Sequence, residues 1–288
     1  MLSQLINGLN VGSVYALIAL GYTMVYGIAK MINFAHGDII MVGAYTVFVC
    51  LGANMPVWAA VLIGTVACAV LGVVIEKIAY KPLRNAQPLA VLITAIGVSY
   101  FLQSASLLIF GSKAQSFKSI IDVPAVDLSS IKISGESMVT ILVTVVSMIA
   151  LSLFINKTKA GNAMRAVSED RGAAQLMGIN TNGTISLTFT IGSALAAIAG
   201  ILYASSYGFI NPYMGSMVGI KAFVAAVLGG IGSVPGAMLG GILLGIIESL
   251  SKAYISTQLA DAIVFGVLIV VLLVRPSGLL GKGRIEKV

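Results

Sequence analysis

Long uncharged apolar runs alternate with short polar connections along most of this 288-residue chain. Runs of this length predict helices that cross a bilayer, because lipid offers no partner to a backbone amide or carbonyl. The runs are continuous rather than alternating, which favours helices over strands. We therefore predict an all-α polytopic membrane protein with about eight transmembrane helices plus one partial helix broken by glycines. The expected helices cover about residues 8–28, 39–51, 57–75, 89–110, 137–155, 184–206, 219–228, 237–251 and 259–274.

The break follows the short helix at 219–228, where glycines cluster around Pro235. An ordinary helix is unfavourable across this sequence, since glycine and proline both destabilise helix interiors. Gly230, Gly232 and Gly236 are candidates for a translocation path, because a broken helix could present its free end amides to a carboxylate at the membrane midplane. Close helix packing is the alternative, and we favour it for most of these glycines.

The segment 156–183 is the long polar stretch that is rich in both signs of charge. Ser168 is expected to cap a short helix there, with Glu169 and Asp170 in the first turn, where the helix dipole favours anions. Gly178 fits the position just past the end of that helix. The sequence therefore predicts one helix over about 168–177, outside the membrane.

Apolar residues of this segment, among them Leu176 and Met177, have no membrane span to enter. Either the membrane helices fold back over them, or a second protein receives the helix. We predict the second. The segment 111–136 is also polar, with short alternating stretches, and its pattern leaves a hairpin and an irregular loop both open.

Composition agrees with a membrane location: 58% of residues are hydrophobic and 9% are charged, where soluble domains carry about 25% charged residues. The net charge of +7 is interpreted as a signal of orientation rather than of nucleic-acid binding. Cys50 and Cys68 are expected to be inert membrane thiols. We expect no cofactor, no metal and no ATPase site, because the residues Gly281-Lys282-Gly283 do not form a phosphate loop.

Orientation follows from the basic residues, 12 of 17 of which lie in the connections 30–38, 76–88, 156–183 and the tail 275–288. Cytoplasmic loops carry an excess of Lys and Arg. We therefore expect these segments, and with them the carboxyl terminus, in the cytoplasm. The segment 111–136 and the amino terminus are then expected outside.

Three polar side chains inside or beside spans are further candidates for the translocation path. Glu248 lies within the span 237–251, and Lys252, one helical turn on, can pair with it. Pairing is favoured over a role in ion coupling. Asn33 and His36 precede a span, where helix capping is the simpler interpretation and a place in the translocation path is the functional one.

Seven stretches in sequence order resemble the smaller permease subunit of bacterial branched-chain amino-acid ABC importers, the LIV type of the hydrophobic amino-acid uptake family. These are INFAHGD at 32–38, GAY at 43–45, IEKIAYKPLR at 75–84, LITAIG at 92–97, MRAVSEDRGAAQLMGIN at 164–180, AAVLGGIGSVPGAMLGGILLG at 225–245 and RPSGLLG at 275–281.

This resemblance implies an ABC importer permease fold in one transmembrane domain, located in the bacterial inner membrane. It implies that the chain forms half of a translocation pathway for leucine, isoleucine or valine, beside a second, related permease. Two cytoplasmic subunits would hydrolyse ATP, and an extracytoplasmic binding protein would deliver the substrate. Residues 163–179 resemble the region that couples the permease to its ATPase. The coupling candidates are Arg165, Ser168, Glu169, Asp170, Leu176, Met177 and Gly178.

Other functions remain open at this point. Related permeases carry urea, amides or other amino acids. A self-sufficient secondary transporter or channel would need ion-coupling groups within the membrane, for which Glu248 is the candidate. A structural membrane subunit of an enzyme complex would explain neither the charged segment at 156–183 nor the glycine break.

Overall fold

The computed structural model describes residues 1–84, 86–128 and 131–281. Within this part of the chain the helices are α1 (Leu2–Ala29), α2 (His36–Gly52), α3 (Val57–Ile75), α4 (Pro88–Phe110), α5 (Gly135–Lys157), α6 (Lys159–Glu169), α7 (Arg171–Leu176), α8 (Thr181–Tyr207), α9 (Met214–Gly229), α10 (Val234–Tyr254) and α11 (Ala260–Val274). A π-helical turn (Glu76–Tyr80) and a 3₁₀ turn (Lys81–Leu83) continue α3.

Six helices in the described ranges are long and apolar enough to cross a membrane, and three shorter helices, α2, α9 and α11, are also apolar. The chain is thus a multi-pass, predominantly helical membrane protein, as the pattern predicted. Helix α9 begins at Met214 rather than at residue 219, because Asn211 ends the preceding connection in a turn: its Oδ1 accepts a hydrogen bond from Tyr213 N at 2.9 Å.

Helix α1 lies at the centre of the bundle, where it packs against α5, α8, α9 and α10. Most of its apolar stretch, 83%, is buried, against 22% for α4 and 17% for α5. A helix that is apolar on every side is typical of such a central position.

Small residues let α1 approach α10 closely. A Cβ added to Gly12 would lie 2.8 Å from Ile242 Cα, closer than real contacts allow, and one added to Gly8 would lie 2.8 Å from Ile246 Cα. Small residues four apart on one face of α1, Gly8 and Gly12, therefore let the two backbones pack in close contact.

Four short strands join the loops at one end of the bundle. Strand β1 (Gln115–Ser116) pairs with β4 (Phe209–Ile210) in antiparallel register, with Gln115 opposite Ile210. Strands β2 (Val126–Leu128) and β3 (Ile131–Ile133) also pair antiparallel. The segment 111–136 therefore contains a small hairpin, one of the two forms that its sequence left open.

Candidate functional site

The polar segment 156–183 folds as two helices, α6 and α7, rather than as the single helix predicted over 168–177. Thr158 caps α6, because its Oγ1 accepts from Gly161 N at 3.0 Å. Asp170 caps α7: its Oδ1 accepts from Gly172 N at 2.7 Å and from Ala173 N at 3.0 Å. A carboxylate at this position satisfies helix-end amides that would otherwise lack partners.

The prediction that Ser168 caps the helix is wrong. Ser168 lies inside α6, where its hydroxyl donates to Arg165 O at 2.7 Å. Glu169 is the last residue of α6, so it does not lie in a first helical turn either. Arg165 donates to Asn162 Oδ1 at 2.7 Å. Ser168 and Asp170 are both residue types that cap helices, and Asp170, two positions later, performs the role.

Gly178 takes the position just past the end of α7 that the sequence predicted. Its φ of +81° lies in the left-handed region, which glycine adopts without steric cost. Because the chain reverses here, α7 ends sharply and α8 begins at Thr181.

Helices α6 and α7 each bury one side against the protein. The carboxyl end of α7, Leu176 with Met177, is exposed and apolar, and we call it the tip of α7. Met164 and Val167 of α6 and Ala174 of α7 are buried. Leu176 and Met177 are 91% and 83% exposed. The membrane helices of this chain therefore do not cover these two side chains, and the first of the two alternatives posed by the sequence does not apply.

Two arginines attach this segment to the membrane bundle. Arg171, the first residue of α7, donates to the Ala29 carbonyl at the end of α1. Arg84 donates to Asn182 Oδ1 at the start of α8 and to Glu76, which also accepts from Ser186 Oγ of α8 at 2.6 Å. Burial, and then the positive charge of Arg84, lower the pKa of Arg171 from its usual value. Sequence reasoning missed both arginine contacts, because their partners lie far apart along the chain.

Asn33 and His36 are buried rather than free to cap a helix at the surface. Asn33 Oδ1 accepts from the Tyr80 hydroxyl at 2.8 Å, and the His36 ring lies edge-on to Tyr22 with ring centroids 4.6 Å apart. Helix α2 has Ala35 at its N-cap position, with no side-chain cap. Both candidates therefore join α1, α2 and the turn that follows α3, and the capping interpretation is wrong.

A second polar contact crosses to α4. The amide of Gln103 donates to Asp38 Oδ1 at 2.9 Å, and both side chains are buried. Helix α4 is otherwise one of the more exposed helices of the bundle. This hydrogen bond therefore joins α4 to α2.

The glycine break lies near one end of the bundle. The tail pairs with the end of α9: Leu279 N donates to Leu228 O at 2.9 Å, and Leu280 N donates to Gly229 O at 3.0 Å. A Cβ added to Gly27, close to the end of α1, would lie 3.3 Å from Gly232 Cα. The break therefore lies beside the end of α1 and the tail, and a midplane role for its end amides stays a prediction.

The glycines of the break serve different purposes. Gly230 and Gly232 have φ values of +102° and +96°, which the turn between α9 and α10 requires. Gly236 lies against the Gly229 carbonyl, where no side chain fits. Packing and turn geometry therefore explain why glycine occupies each of these three positions.

Glu248 is the centre of a buried group of charges. Its Oε1 accepts from Lys252 Nζ at 2.6 Å and from Lys221 Nζ at 2.9 Å, and its Oε2 accepts from the Tyr15 hydroxyl at 2.8 Å. Lys221 Nζ also lies 2.6 Å from Asp261 Oδ1. The predicted pairing with Lys252 is confirmed, whereas the pairing with Lys221 of α9 had no local signal in the sequence.

Comparisons with known proteins agree with this architecture. The family model described as branched-chain amino acid transport system / permease component matches residues 4–273. The chain is 49% identical to the high-affinity branched-chain amino acid transport system permease protein LivH of Escherichia coli K12, over 100% of this chain and 97% of the relative. It is 46% identical to the permease protein BraD of the corresponding Pseudomonas aeruginosa system, over 100% of this chain and 98% of the relative.

A more distant relative belongs, by its name, to a different import system. The chain is 28% identical to the autoinducer 2 import system permease protein LsrC of Yersinia pestis, over 88% of this chain and 72% of that protein. The extent of the match to the family model and to full-length relatives settles the assignment. This chain belongs to the family of permease components of the branched-chain amino acid transport system.

Proposed function

We propose that this chain is the permease subunit of an ATP-driven importer of branched-chain amino acids and forms half of the translocation pathway. It is a transport subunit rather than an enzyme. Two relatives with nearly half of their residues identical over the full chain carry that transport system in their names. The multi-pass helical bundle provides the scaffold that such a subunit needs.

The observation that carries the ATP-driven mechanism is the exposed tip of α7. Leu176, the last residue of α7, and Met177, just past it, are two of the most exposed large apolar side chains among the described residues. Exposed apolar surface of this kind marks an interaction site. We propose that a cytoplasmic ATPase subunit receives this tip, and that α6 and α7 transmit its movement to the bundle.

The rest of the assembly follows as part of the same proposal. A second, related permease completes the pathway, two ATPase subunits hydrolyse ATP, and an extracytoplasmic binding protein delivers the amino acid. This chain itself binds no cofactor. The ATPase subunits and the binding protein lie on opposite sides of the membrane, so they use different ends of the bundle.

We further propose eight full crossings, with α9 before the glycine break as a ninth, partial one, all within one domain. An odd number of crossings is what places the amino terminus outside and the carboxyl terminus in the cytoplasm. We also propose a bacterial inner-membrane location, and the basic connections support an orientation with the carboxyl terminus and the segment 156–183 in the cytoplasm. The hairpin segment 111–136 then lies outside, where a binding protein can reach it.

A self-sufficient secondary transporter is less well supported. Its coupling group would have to be Glu248, but that carboxylate accepts hydrogen bonds from two lysines and a tyrosine. A carboxylate held by three donors within the bundle is suited to joining helices rather than to releasing and binding an ion in each cycle.

Uptake of labelled leucine tests the function directly. The subunit is co-expressed with its permease partner and ATPase subunits and reconstituted into vesicles, with and without ATP and the binding protein. We expect uptake that requires both. Uptake by this chain alone without ATP would support the secondary transporter, and ATP-dependent uptake of another solute but not of leucine, isoleucine or valine would support a different substrate.

A further inference from the structure

A pocket of about 200 Å³ lies between the first turns of α1, the end of α8 and the second half of α10. About 37 Å of helix α1 separates Gln4, which lines this pocket, from Ala29, which accepts from Arg171. The pocket therefore lies at the end of the bundle opposite to the segment 156–183. Pockets for drug-sized ligands hold about 300–1,000 Å³, so this one suits a smaller molecule.

Lys252 gives the wall of the pocket a cation that is able to contact a ligand. Its side chain is 40% exposed, and its Nζ donates to Glu248 Oε1 at 2.6 Å. An ammonium group has three N–H donors, so donors remain for a ligand carboxylate. Glu248 also accepts from Lys221 and Tyr15, so it stays joined to the bundle whichever partner Lys252 contacts.

The opposite requirement, acceptors for a cation, is met where α1 meets α10. Ser249 Oγ donates to Gln4 O at 2.8 Å and lies 3.3 Å from Gln4 Oε1. A hydroxyl oxygen that donates can still accept, and an amide oxygen has two lone pairs. Both side chains line the pocket, so a ligand ammonium group can donate to them.

The charges in and behind the wall balance. The ion pairs join two cations and two carboxylates, Lys221, Lys252, Glu248 and Asp261. A lone cation or anion in the pocket would leave a net charge in a partly buried place, which is costly. A zwitterion brings one charge of each sign and leaves the balance unchanged.

Apolar groups form a smaller part of the wall. Val11 and Tyr207 line the pocket, and the Tyr207 ring stacks on Tyr203 with ring centroids 4.3 Å apart. These groups can contact one side of an aliphatic side chain but do not enclose it. The pocket is therefore suited to the charged groups that leucine, isoleucine and valine share, rather than to the shape of one side chain.

We propose that this pocket binds the α-carboxylate and α-ammonium groups of the transported amino acid, with the carboxylate on Lys252 and the ammonium group on Ser249 and Gln4. The inference rests on the proposed transport function and adds a site at which this chain holds its substrate. In the proposed orientation, the pocket faces the side on which the binding protein delivers the amino acid.

Protection of a cysteine tests the site without ATP. Asn7 lines the pocket and is exposed, so Asn7→Cys should react with an impermeant thiol reagent, whereas Cys50 and Cys68 are buried. The variant is assembled with its permease partner and ATPase subunits in vesicles, without the binding protein. We expect leucine, isoleucine and valine to slow the reaction. Leucinamide, which lacks the carboxylate, and isocaproate, which lacks the ammonium group, should not.

Matched variants separate occupancy of the pocket from indirect effects. Ala253→Cys is exposed on α10 outside the pocket, and leucine should not protect it. In the Asn7→Cys chain, Lys252→Gln should raise the half-protecting leucine concentration about tenfold, the loss expected for one hydrogen bond to a charged group. Lys252→Arg should retain most of the protection. Lys113→Gln removes an exposed charge outside the pocket and should leave the protection unchanged.

Three results would overturn the inference. One is the absence of protection by leucine at Asn7→Cys in vesicles that take up leucine when ATP and binding protein are supplied. The proposed function would then stand without this site. Another is equal protection by leucinamide or isocaproate, which would show that only one of the two charged groups is bound. The third is equal protection at Ala253→Cys, which would indicate a change of conformation rather than a ligand in the pocket. Protection without any uptake would instead count against the proposed function and leave the site in place.

Discussion

Lys221 Nζ lies 2.9 Å from Glu248 Oε1, and this ion pair joins α9 to α10 inside the bundle. Both side chains are almost fully buried, at 7% and 2% exposure. The glycine break separates these helices in sequence, so the pair determines how they pack after the chain reverses. Lys221 also contacts Asp261, which brings α11 into the same group.

Removing one partner of this buried pair should destabilise the protein strongly. Lys221→Met leaves Glu248 with less compensation in a buried site, which typically costs about 3–5 kcal/mol. We expect a clear loss of unfolding free energy in detergent, measured by denaturant titration. Lys252→Met removes the other lysine of Glu248, but its side chain is 40% exposed. It should cost about 1 kcal/mol or less. Equal losses in the two variants would contradict the central role of Lys221.

Glycines on α1 and in the break should respond differently to one added methyl group. Gly12→Ala places a Cβ 2.8 Å from the backbone of α10, so α1 and α10 must separate. Gly232→Ala meets no atom within 4 Å and suffers mainly from its φ of +96°. We expect Gly12→Ala to lower thermal stability more than Gly232→Ala.

Gly97→Ala is the control for both substitutions. Gly97 lies within α4, and an added Cβ there has open space. Alanine favours a helix over glycine by about 1 kcal/mol, so this variant should be neutral or slightly stabilised. A larger loss for Gly232→Ala than for Gly12→Ala would show that strain in the turn outweighs helix packing.

Much of the fold could be predicted from hydrophobic pattern, but its long-range polar contacts could not. The spans appeared as uncharged runs, and the pair Glu248–Lys252 appeared as neighbours one helical turn apart. Lys221, the second partner of Glu248, could not be predicted, because no local sequence rule connects positions on different helices. Glycine content likewise predicts a break but not its depth in the membrane, so the midplane role considered for Gly232 stays a prediction.

The candidate coupling segment was predicted in position but not in detail. Exposure of Leu176 followed from the interpretation that no membrane span of this chain receives it. The capping residue did not, because Ser168 and Asp170 are both good caps and only the packing of Met164 and Val167 decides where α6 ends. Local helix propensity is compatible with several end points for α6, and contacts with the rest of the protein select one.

Cysteine labelling tests the orientation. Gln175→Cys on α7 should react with an impermeant thiol reagent only from the cytoplasm, and Ala125→Cys only from outside, because the basic connections favour that arrangement. Both positions are exposed. The unaltered chain is the control, since Cys50 and Cys68 are buried. Reaction of both new cysteines from the same side would contradict the topology.

The central claim is that the tip of α7 docks on an ATPase subunit. Leu176→Asp places a carboxylate in that contact, and burying an unpaired carboxylate costs about 3 kcal/mol or more. The membrane bundle should be unaffected, since Leu176 is 91% exposed in this chain. Gln175→Asp adds the same charge at a polar neighbouring position and serves as the control. Arg165→Ala should also have a small effect, because a partly exposed charge contributes about 1 kcal/mol or less.

The decisive measurement is the amount of ATPase subunit that co-purifies with each variant, together with ATP-dependent leucine uptake. We predict that Leu176→Asp inserts and pairs with its permease partner normally, retains little ATPase and transports no leucine, while Gln175→Asp retains both. ATPase binding and uptake at unaltered levels in Leu176→Asp would contradict the account, because α7 would then be only a solvated connection between α6 and α8.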